Sequence, residues 1–135
     1  MKTWQSIALA ALAALASASA IAGKPETTAS GLIYESLKDG SGAQPTAESR
    51  VEVHYRGTLT DGKEFDSSYG RGRPAELPLE ALVPCWKEVL QQMRPGGAVR
   101  IVCPPETAYG SRGVPGRIPP DSTLNFVIEL LEVKR

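Results

Sequence analysis

Cysteine, histidine and aromatic residues are scarce in this chain, and their scarcity excludes several classes of function. Among 135 residues there are two cysteines, one histidine and 6% aromatic residues. Two separated cysteines and one histidine do not form the ligand cluster that a metal site needs. The cysteines also lack the Cys-x-x-Cys spacing of a redox motif. We therefore expect no metal and no cofactor.

An excess of charge of either sign is also missing. Fifteen Lys and Arg residues balance fifteen Asp and Glu residues. A protein that binds nucleic acid needs a basic surface to neutralise phosphates, so nucleic acid is not an expected partner. The length is in the range of one compact domain.

Long apolar runs are confined to the amino terminus, where Lys2 precedes an apolar stretch from Ile7 to Ala16. Small residues follow and offer cleavage after Ala20 or Ala22. This pattern predicts a signal peptide over residues 1–22 and an exported mature protein. The alternative is a membrane anchor, but the stretch is short for a bilayer span, so we expect no stable membrane insertion after cleavage.

Export bears on the cysteine pair, Cys85 and Cys103, because thiols tend to oxidise outside the cytoplasm. A disulfide between them is one interpretation. The other is two buried free thiols that pack as small apolar groups, and the sequence does not give the separation that would decide.

Hydrophobic periodicity divides the rest of the chain into several strands and one short helix. Alternation places Val51, Val53 and Tyr55 on one strand face and His54 on the other. Pro84 can begin a helix whose apolar face carries Trp86, Val89, Leu90 and Met93 at helical spacing, and Arg94-Pro95-Gly96-Gly97 should end it. Further strands are expected at 31–37, 63–66, 99–103 and 123–133, with an exposed loop at 67–73 and a long loop punctuated by Pro and Gly at 104–121. These elements predict an antiparallel α+β domain over residues 45–135, preceded by a tether and first strand over 23–44.

Five motifs in this order resemble the FKBP family of prolyl isomerases. They are Val51-Glu52-Val53-His54-Tyr55-Arg56-Gly57, Gly62-Lys63-Glu64-Phe65-Asp66-Ser67-Ser68, Pro84-Cys85-Trp86, Ala108-Tyr109-Gly110 and Ile118-Pro119-Pro120. Each motif alone is weak, but their order and spacing are specific. The chain is most similar to small, exported, periplasmic bacterial forms.

The resemblance implies a bent antiparallel sheet wrapped around one short helix, with a substrate proline held between them. It implies catalytic roles for Tyr55, Asp66 and Tyr109. It also implies that an apolar set of residues binds the substrate, with Trp86 at the floor: Phe65, Leu77, Leu82, Val83, Trp86, Ile118 and Phe126. The Val83 N–H should meet the bound peptide, and the partners should be proline-containing, unfolded or partly folded polypeptides and macrolide inhibitors.

Some positions depart from the family's usual pattern. Cys85 stands where glycine is common, and Cys103 stands at a usually aliphatic position. Ala75 replaces a bulkier residue expected at the pocket edge, and Arg117 occupies a position that is often apolar. These changes affect the expected affinity and sequence preference more than the reaction.

Simpler interpretations exist for several of these residues. Trp86 and Phe126 could be ordinary core, Asp66 could cap a turn, and His54 faces away from the pocket and is better explained as a solvated strand residue than as a base. At the level of function, the alternatives are a chaperone that captures unfolded chains without turnover and a redox protein that uses the two cysteines. Without a helical extension at the amino terminus, we expect a monomer.

Overall fold

A computed structural model describes residues 24–134 of the chain. The signal peptide predicted over residues 1–22 lies outside this range. In chain order, the strands are β1 (Glu26–Thr27), β2 (Ile33–Lys38), β3 (Arg50–Leu59), β4 (Glu64–Ser67), β5 (Ala75–Pro78), β6 (Ala98–Cys103) and β7 (Leu124–Lys134). The helix α1 spans Pro84–Leu90, and short 3-10 helices lie at Tyr69–Arg71, Leu79–Ala81 and Pro105–Thr107. No helix in the described range is long and apolar enough to cross a membrane.

All strands pair antiparallel in one sheet of order β1-β2-β6-β7-β3-β4. The long central pair is β3 with β7, which runs from Arg50 opposite Lys134 to Leu59 opposite Leu124. On its other edge, β3 pairs with two short strands. The first half of β3 pairs with β5, and the second half pairs with β4. The antiparallel α+β architecture predicted from periodicity is confirmed.

The core lies between the sheet and α1, because strands and helix each bury one face there. Alternating residues of β3, β6 and β7 are 0–8% exposed: Val51, Val53, Tyr55, Val99, Ile101, Cys103, Leu124, Phe126, Ile128 and Leu130. From the helix side come Cys85, Trp86, Val89 and Leu90, with Met93 just beyond it. Both predicted periodicities therefore converge on one apolar layer.

Three expectations from the sequence differ from the structure. The helix ends at Leu90, because the N–H groups of Gln92 and Met93 donate to carbonyls only three residues earlier and the chain turns before Pro95. The segment 67–73 is not uniformly exposed: Ser67 and Ser68 are buried against β3.

The third difference concerns the tether and first strand expected over 23–44. Glu26–Thr27 and Ile33–Lys38 both pair within the sheet, and Leu32 is completely buried. Residue 44 therefore does not coincide with a break in the sheet. The strand from Ile33 to Lys38 belongs to the same folded unit as the pocket.

A disulfide joins Cys85 of α1 to Cys103 at the end of β6, with 5.9 Å between the Cα atoms. Both side chains are 0% exposed. The bond ties the helix to the sheet beside Trp86. Because neither sulfur is accessible, the structure gives no support to a role in dithiol exchange.

Candidate functional site

Three aromatic contacts form the floor and wall of a cavity between α1 and the concave face of the sheet. The Trp86 ring lies 5.0 Å from Tyr55 and 5.3 Å from Phe126, and Phe65 lies 5.6 Å from Phe126, measured between ring centroids. Each pair is nearly perpendicular, with interplanar angles of 83–87°. Edge-to-face packing of this kind is favourable and leaves ring faces available for a ligand.

Gly57 allows two of these rings to meet over strand β3. A Cβ atom at this position would lie 2.6 Å from Cζ of Phe65 and 2.8 Å from Cε1 of Phe126. Real Cβ atoms do not approach so closely, so any larger residue would displace the rings. The motif glycine therefore shapes the pocket wall.

The cavity has a volume of about 270 Å³. Its lining residues are Tyr55, Phe65, Asp66, Leu77, Ala81, Leu82, Val83, Trp86, Tyr109 and Phe126. Nine of the ten residues assigned catalytic or binding roles from the sequence thus line one cavity. The indole N–H of Trp86 is buried and has no hydrogen-bond acceptor within residues 24–134. The floor of the pocket would therefore bind a ligand by apolar contact.

Ile118 is the residue assigned to the pocket that the structure places elsewhere. Its N–H and carbonyl both pair with Val114, and its side chain is 5% exposed in the core. It borders a different depression, together with Leu59. Ala75 and Arg117 also lie outside the pocket lining. Ala75 of β5 pairs with Val53 of β3, and Arg117 borders the same depression as Ile118.

The polar rim of the pocket is a compact hydrogen-bonded group. The Tyr55 hydroxyl donates to Oδ2 of Asp66 at 2.6 Å, and Arg71 donates to Oδ1 of Asp66 at 2.7 Å and to the Tyr55 hydroxyl at 2.9 Å. The Ser67 N–H also donates to Oδ1 of Asp66. The carboxylate is thus held by three donors, two of them side chains.

This group shifts the ionisation of its members. Burial opposes ionisation of Asp66, but the hydrogen bonds from Tyr55 and Arg71 and the arginine charge outweigh it, so the pKa of Asp66 lies below its ordinary value. Burial raises the pKa of Tyr55, and its bond to Asp66 raises it further against the opposing effect of Arg71. At neutral pH the carboxylate is charged and the phenol is neutral.

Arg71 and Ala81 were missed by reasoning from the sequence. Arg71 lies in the segment expected to be an exposed Gly- and Arg-rich loop, but the 3-10 helix Tyr69–Arg71 turns its side chain back to the rim. The one available signal was a cation five residues after Asp66, close enough for a turn to join them. Ala81 gave no chemical signal.

Two donors at the pocket have no partner in the described part of the chain. The Val83 N–H precedes α1 and meets no acceptor there, and the Tyr109 hydroxyl, on a 41% exposed side chain, forms no hydrogen bond. Backbone hydrogen bonds between Gly113 and Tyr109 and between Asp121 and Gly110 hold the loop that carries Tyr109. These two donors are free to meet a ligand.

His54 lies on the opposite face of β3 from the pocket, as strand alternation predicted. Its Nδ1 is 2.8 Å from Oγ of Ser68, and its ring stacks on Tyr69 at 4.5 Å. Oγ of Ser68 also accepts the backbone N–H of Tyr55 at 2.7 Å. The histidine therefore supports the strand behind the pocket and does not enter it.

Comparison with known proteins decides the family. The family model described as FKBP-type peptidyl-prolyl cis-trans isomerase matches residues 41–131. The chain belongs to the FKBP family. Its bent sheet around one helix is the fold that the resemblance implied.

Individual FKBP relatives are similar over most of the chain. FKBP-type peptidyl-prolyl cis-trans isomerase FkpA of Escherichia coli K12 is 50% identical over 81% of this chain and 40% of its own length. The isomerase Mip of Coxiella burnetii is 44% identical over 82% of this chain and 48% of its own. This chain therefore spans less than half the length of these two relatives. A crystal structure of a peptidyl-prolyl cis-trans isomerase from Pseudomonas syringae pv. tomato superposes with a TM-score of 0.77 at 38% identity, over 82% of this chain and 81% of that one.

Proposed function

We propose that this FKBP domain accelerates cis–trans isomerisation of X-Pro bonds in unfolded or partly folded polypeptides. The observation that carries the proposal is the perpendicular aromatic box around Trp86, with free donors at its edge. An apolar box of this size accepts a proline ring by contact. The donors can hold the carbonyls beside it.

Isomerisation must overcome a rotation barrier of about 18–20 kcal/mol that comes from amide resonance. The planar amide is more charge-separated than the twisted one, so a pocket with a 5% exposed Trp86 as its floor disfavours the planar ground state more than the twisted state. No covalent bond to the protein is required. The pocket therefore needs no nucleophile.

Orientation is the second contribution. The Val83 N–H and the Tyr109 hydroxyl would bind carbonyl oxygens that flank the rotating bond, and fixed geometry lowers the entropy lost in reaching the transition state. The group formed by Tyr55, Asp66 and Arg71 would keep the rim rigid while the bond turns. Tyr55 and Asp66 would thus act on the substrate from a fixed position.

Substrates are expected to be exported, proline-containing chains. The charged start, apolar stretch and small-residue cleavage pattern of residues 1–22 support export, and a folding catalyst outside the cytoplasm would meet newly translocated polypeptides. We propose that the protein acts as a monomer and that macrolides that occupy FKBP pockets compete with the substrate.

A protease-coupled assay with a proline tetrapeptide tests the activity. We expect acceleration by the purified protein, a loss of about tenfold in kcat/KM for Trp86→Leu, and a two- to tenfold loss for Tyr109→Phe. Tyr69→Phe is the matched control, because its hydroxyl bonds to Glu129 outside the pocket. A folded protein that does not accelerate the reaction would refute the proposal.

The same assay separates isomerisation from capture without turnover. A chaperone that only holds unfolded chains would suppress aggregation of a client while the tetrapeptide rate stays at its uncatalysed value. We expect both effects to depend on Trp86, because one pocket would serve them.

A further inference from the structure

A second depression, of about 420 Å³, lies between the β3–β4 hairpin and the long loop that follows β6. Its floor is apolar and includes Leu59 and prolines of the loop. Three cations border it: Lys63 from the hairpin, and Arg112 and Arg117 from the loop. No carboxylate lines it. We call it the cationic depression.

The charges of these three cations are not neutralised by residues 24–134. Within the range that the structure describes, the side chains of Lys63, Arg112 and Arg117 form neither an ion pair nor a hydrogen bond. Five other cations in that range are paired with carboxylates. Three exposed charges of one sign around an apolar floor repel one another and add no fold-stabilising contact. Such an arrangement suits a ligand that brings negative charge.

The cationic depression adjoins the proline pocket through the chain itself. Lys63 precedes the pocket residue Phe65 by two positions, and Arg112 follows Tyr109 by three. The Gly113 N–H donates to the Tyr109 carbonyl at 3.0 Å, so the arginine segment is fixed relative to Tyr109. A polypeptide seated in the pocket advances at most about 3.3–3.6 Å per residue, so its flanking residues reach this area.

We propose that the cationic depression is a subsite for acidic side chains that flank the proline of a client polypeptide. The proposal rests on the isomerase function and adds a substrate class to it. Acidic clients would be drawn in by charge and held over the apolar floor, which would raise the association rate and lower KM at low salt.

Nearby carboxylates bound the extent of this subsite. Asp61 and Asp121 border a neighbouring depression that shares Leu59 and Pro119 with the cationic one. Asp61 accepts the backbone N–H of Lys63 at 2.9 Å and so is engaged in its own turn. Acidic side chains should therefore be favoured on one side of the proline only, the side that meets Arg112 and Arg117.

Paired peptides test the subsite. We would compare kcat/KM for proline peptides that carry three glutamates, three glutamines or three lysines on either flank, at low and at 0.5 M salt. On one flank, glutamate should give about five times the kcat/KM of glutamine at low salt, and the difference should vanish at 0.5 M salt. If glutamate and glutamine peptides had equal kcat/KM at low salt whichever flank carried the substitution, the inference would be overturned.

Variants separate local attraction from net charge. Arg112→Gln with Arg117→Gln should abolish the glutamate preference but keep the rate on glutamine peptides, while Lys24→Gln with Lys38→Gln removes two charges elsewhere and should keep the preference. Arg112→Glu with Arg117→Glu should favour lysine peptides. A glutamate preference that survives the arginine variants would refute the subsite. If the unmodified protein accelerated isomerisation of none of the peptides, the isomerase function itself would be refuted.

Discussion

Three side chains at the pocket rim, Tyr55, Asp66 and Arg71, direct their hydrogen bonds at one another. Each bond fixes a side chain that would otherwise sample several rotamers. The Asp66 carboxylate is the central acceptor, because it binds both Tyr55 and Arg71, and removing its charge would weaken both of these bonds. Its ionisation links the rim to pH.

Asp66→Asn tests this link. Because the folded pKa of Asp66 is depressed, its contribution to stability is present above the ordinary pKa of an aspartate and is lost as pH falls through the folded value. We expect the variant to lose about 1 kcal/mol of stability at neutral pH and three- to tenfold in kcat/KM, and to show a weaker fall in stability as the pH drops below about 4, the ordinary pKa of an aspartate. Denaturant unfolding across this pH range measures the effect.

Glu64→Gln provides the comparison, since Glu64 neighbours Phe65 and pairs with Arg56 at an exposed site. This variant should leave kcat/KM unchanged and should change the free energy of unfolding at neutral pH by no more than about 0.5 kcal/mol. If the two variants had the same acid profile, the rim group would not be the source of the pH dependence.

Ser68 supports Tyr55 from behind. Its completely buried hydroxyl accepts the Tyr55 N–H, and Ser68→Ala would leave that N–H without a partner. We expect a loss of about 1–3 kcal/mol in the free energy of unfolding, measured by urea denaturation. Ser41→Ala, at an exposed position, should cost less than about 0.5 kcal/mol; equal costs would contradict the buried role.

At the scale of elements, the seven-residue helix α1 is too short to be stable alone. Its position depends on burial of Trp86, Val89 and Leu90 and on the Cys85–Cys103 bond. The bond joins cysteines 18 positions apart and encloses the helix from its second residue, the turn after it and β6. Helix and pocket floor are therefore set by the same cross-link.

Replacing both cysteines with alanine should lower the free energy of unfolding by about 3 kcal/mol, because the unfolded chain regains the freedom of an open 18-residue loop. Chemical denaturation with and without reductant measures this. In the unmodified protein, reduction should give a similar loss and a mass increase of two hydrogens. The double variant should not respond to reductant, and a response would place the sensitivity elsewhere.

Elements with one buried face were predictable because their periodicity is local information. The inward faces of β3, β6 and β7 and the apolar side of α1 followed from spacing alone. The resemblance brought nine pocket residues together. Arg71 and the position of Ile118 were not predictable, because the first depends on how a 3-10 turn redirects a side chain and the second on backbone pairing with Val114 inside a long loop.

At the scale of the whole molecule, the described residues before the family match pack into the same sheet and core as the rest. The family model begins at residue 41, yet Leu32 is 0% exposed and β2 pairs with β6 from Ile33 to Lys38. Removing this segment would uncover one edge of β6 and part of the core. Stability should therefore be sensitive well ahead of residue 41.

Leu32→Ala should cost about 2–5 kcal/mol, the range for truncation of a fully buried leucine. Ile33→Ala is the neighbouring control: its side chain is 38% exposed, so the cost should be clearly smaller. Thermal and denaturant unfolding of both variants would measure the difference. Equal small costs would show that residues before 41 fold separately from the rest.

The central position of β7 has a consequence for when the fold can form. This strand follows every other strand of the sheet in the chain, yet it lies between β6 and β3 and supplies the partner for both. A chain emerging from the ribosome therefore exposes β3 and β6 before the strand that joins them exists. Closure of the sheet therefore waits for residues 124–134, and neither β3 nor β6 can gain its central partner until the last strand of the chain has been synthesised.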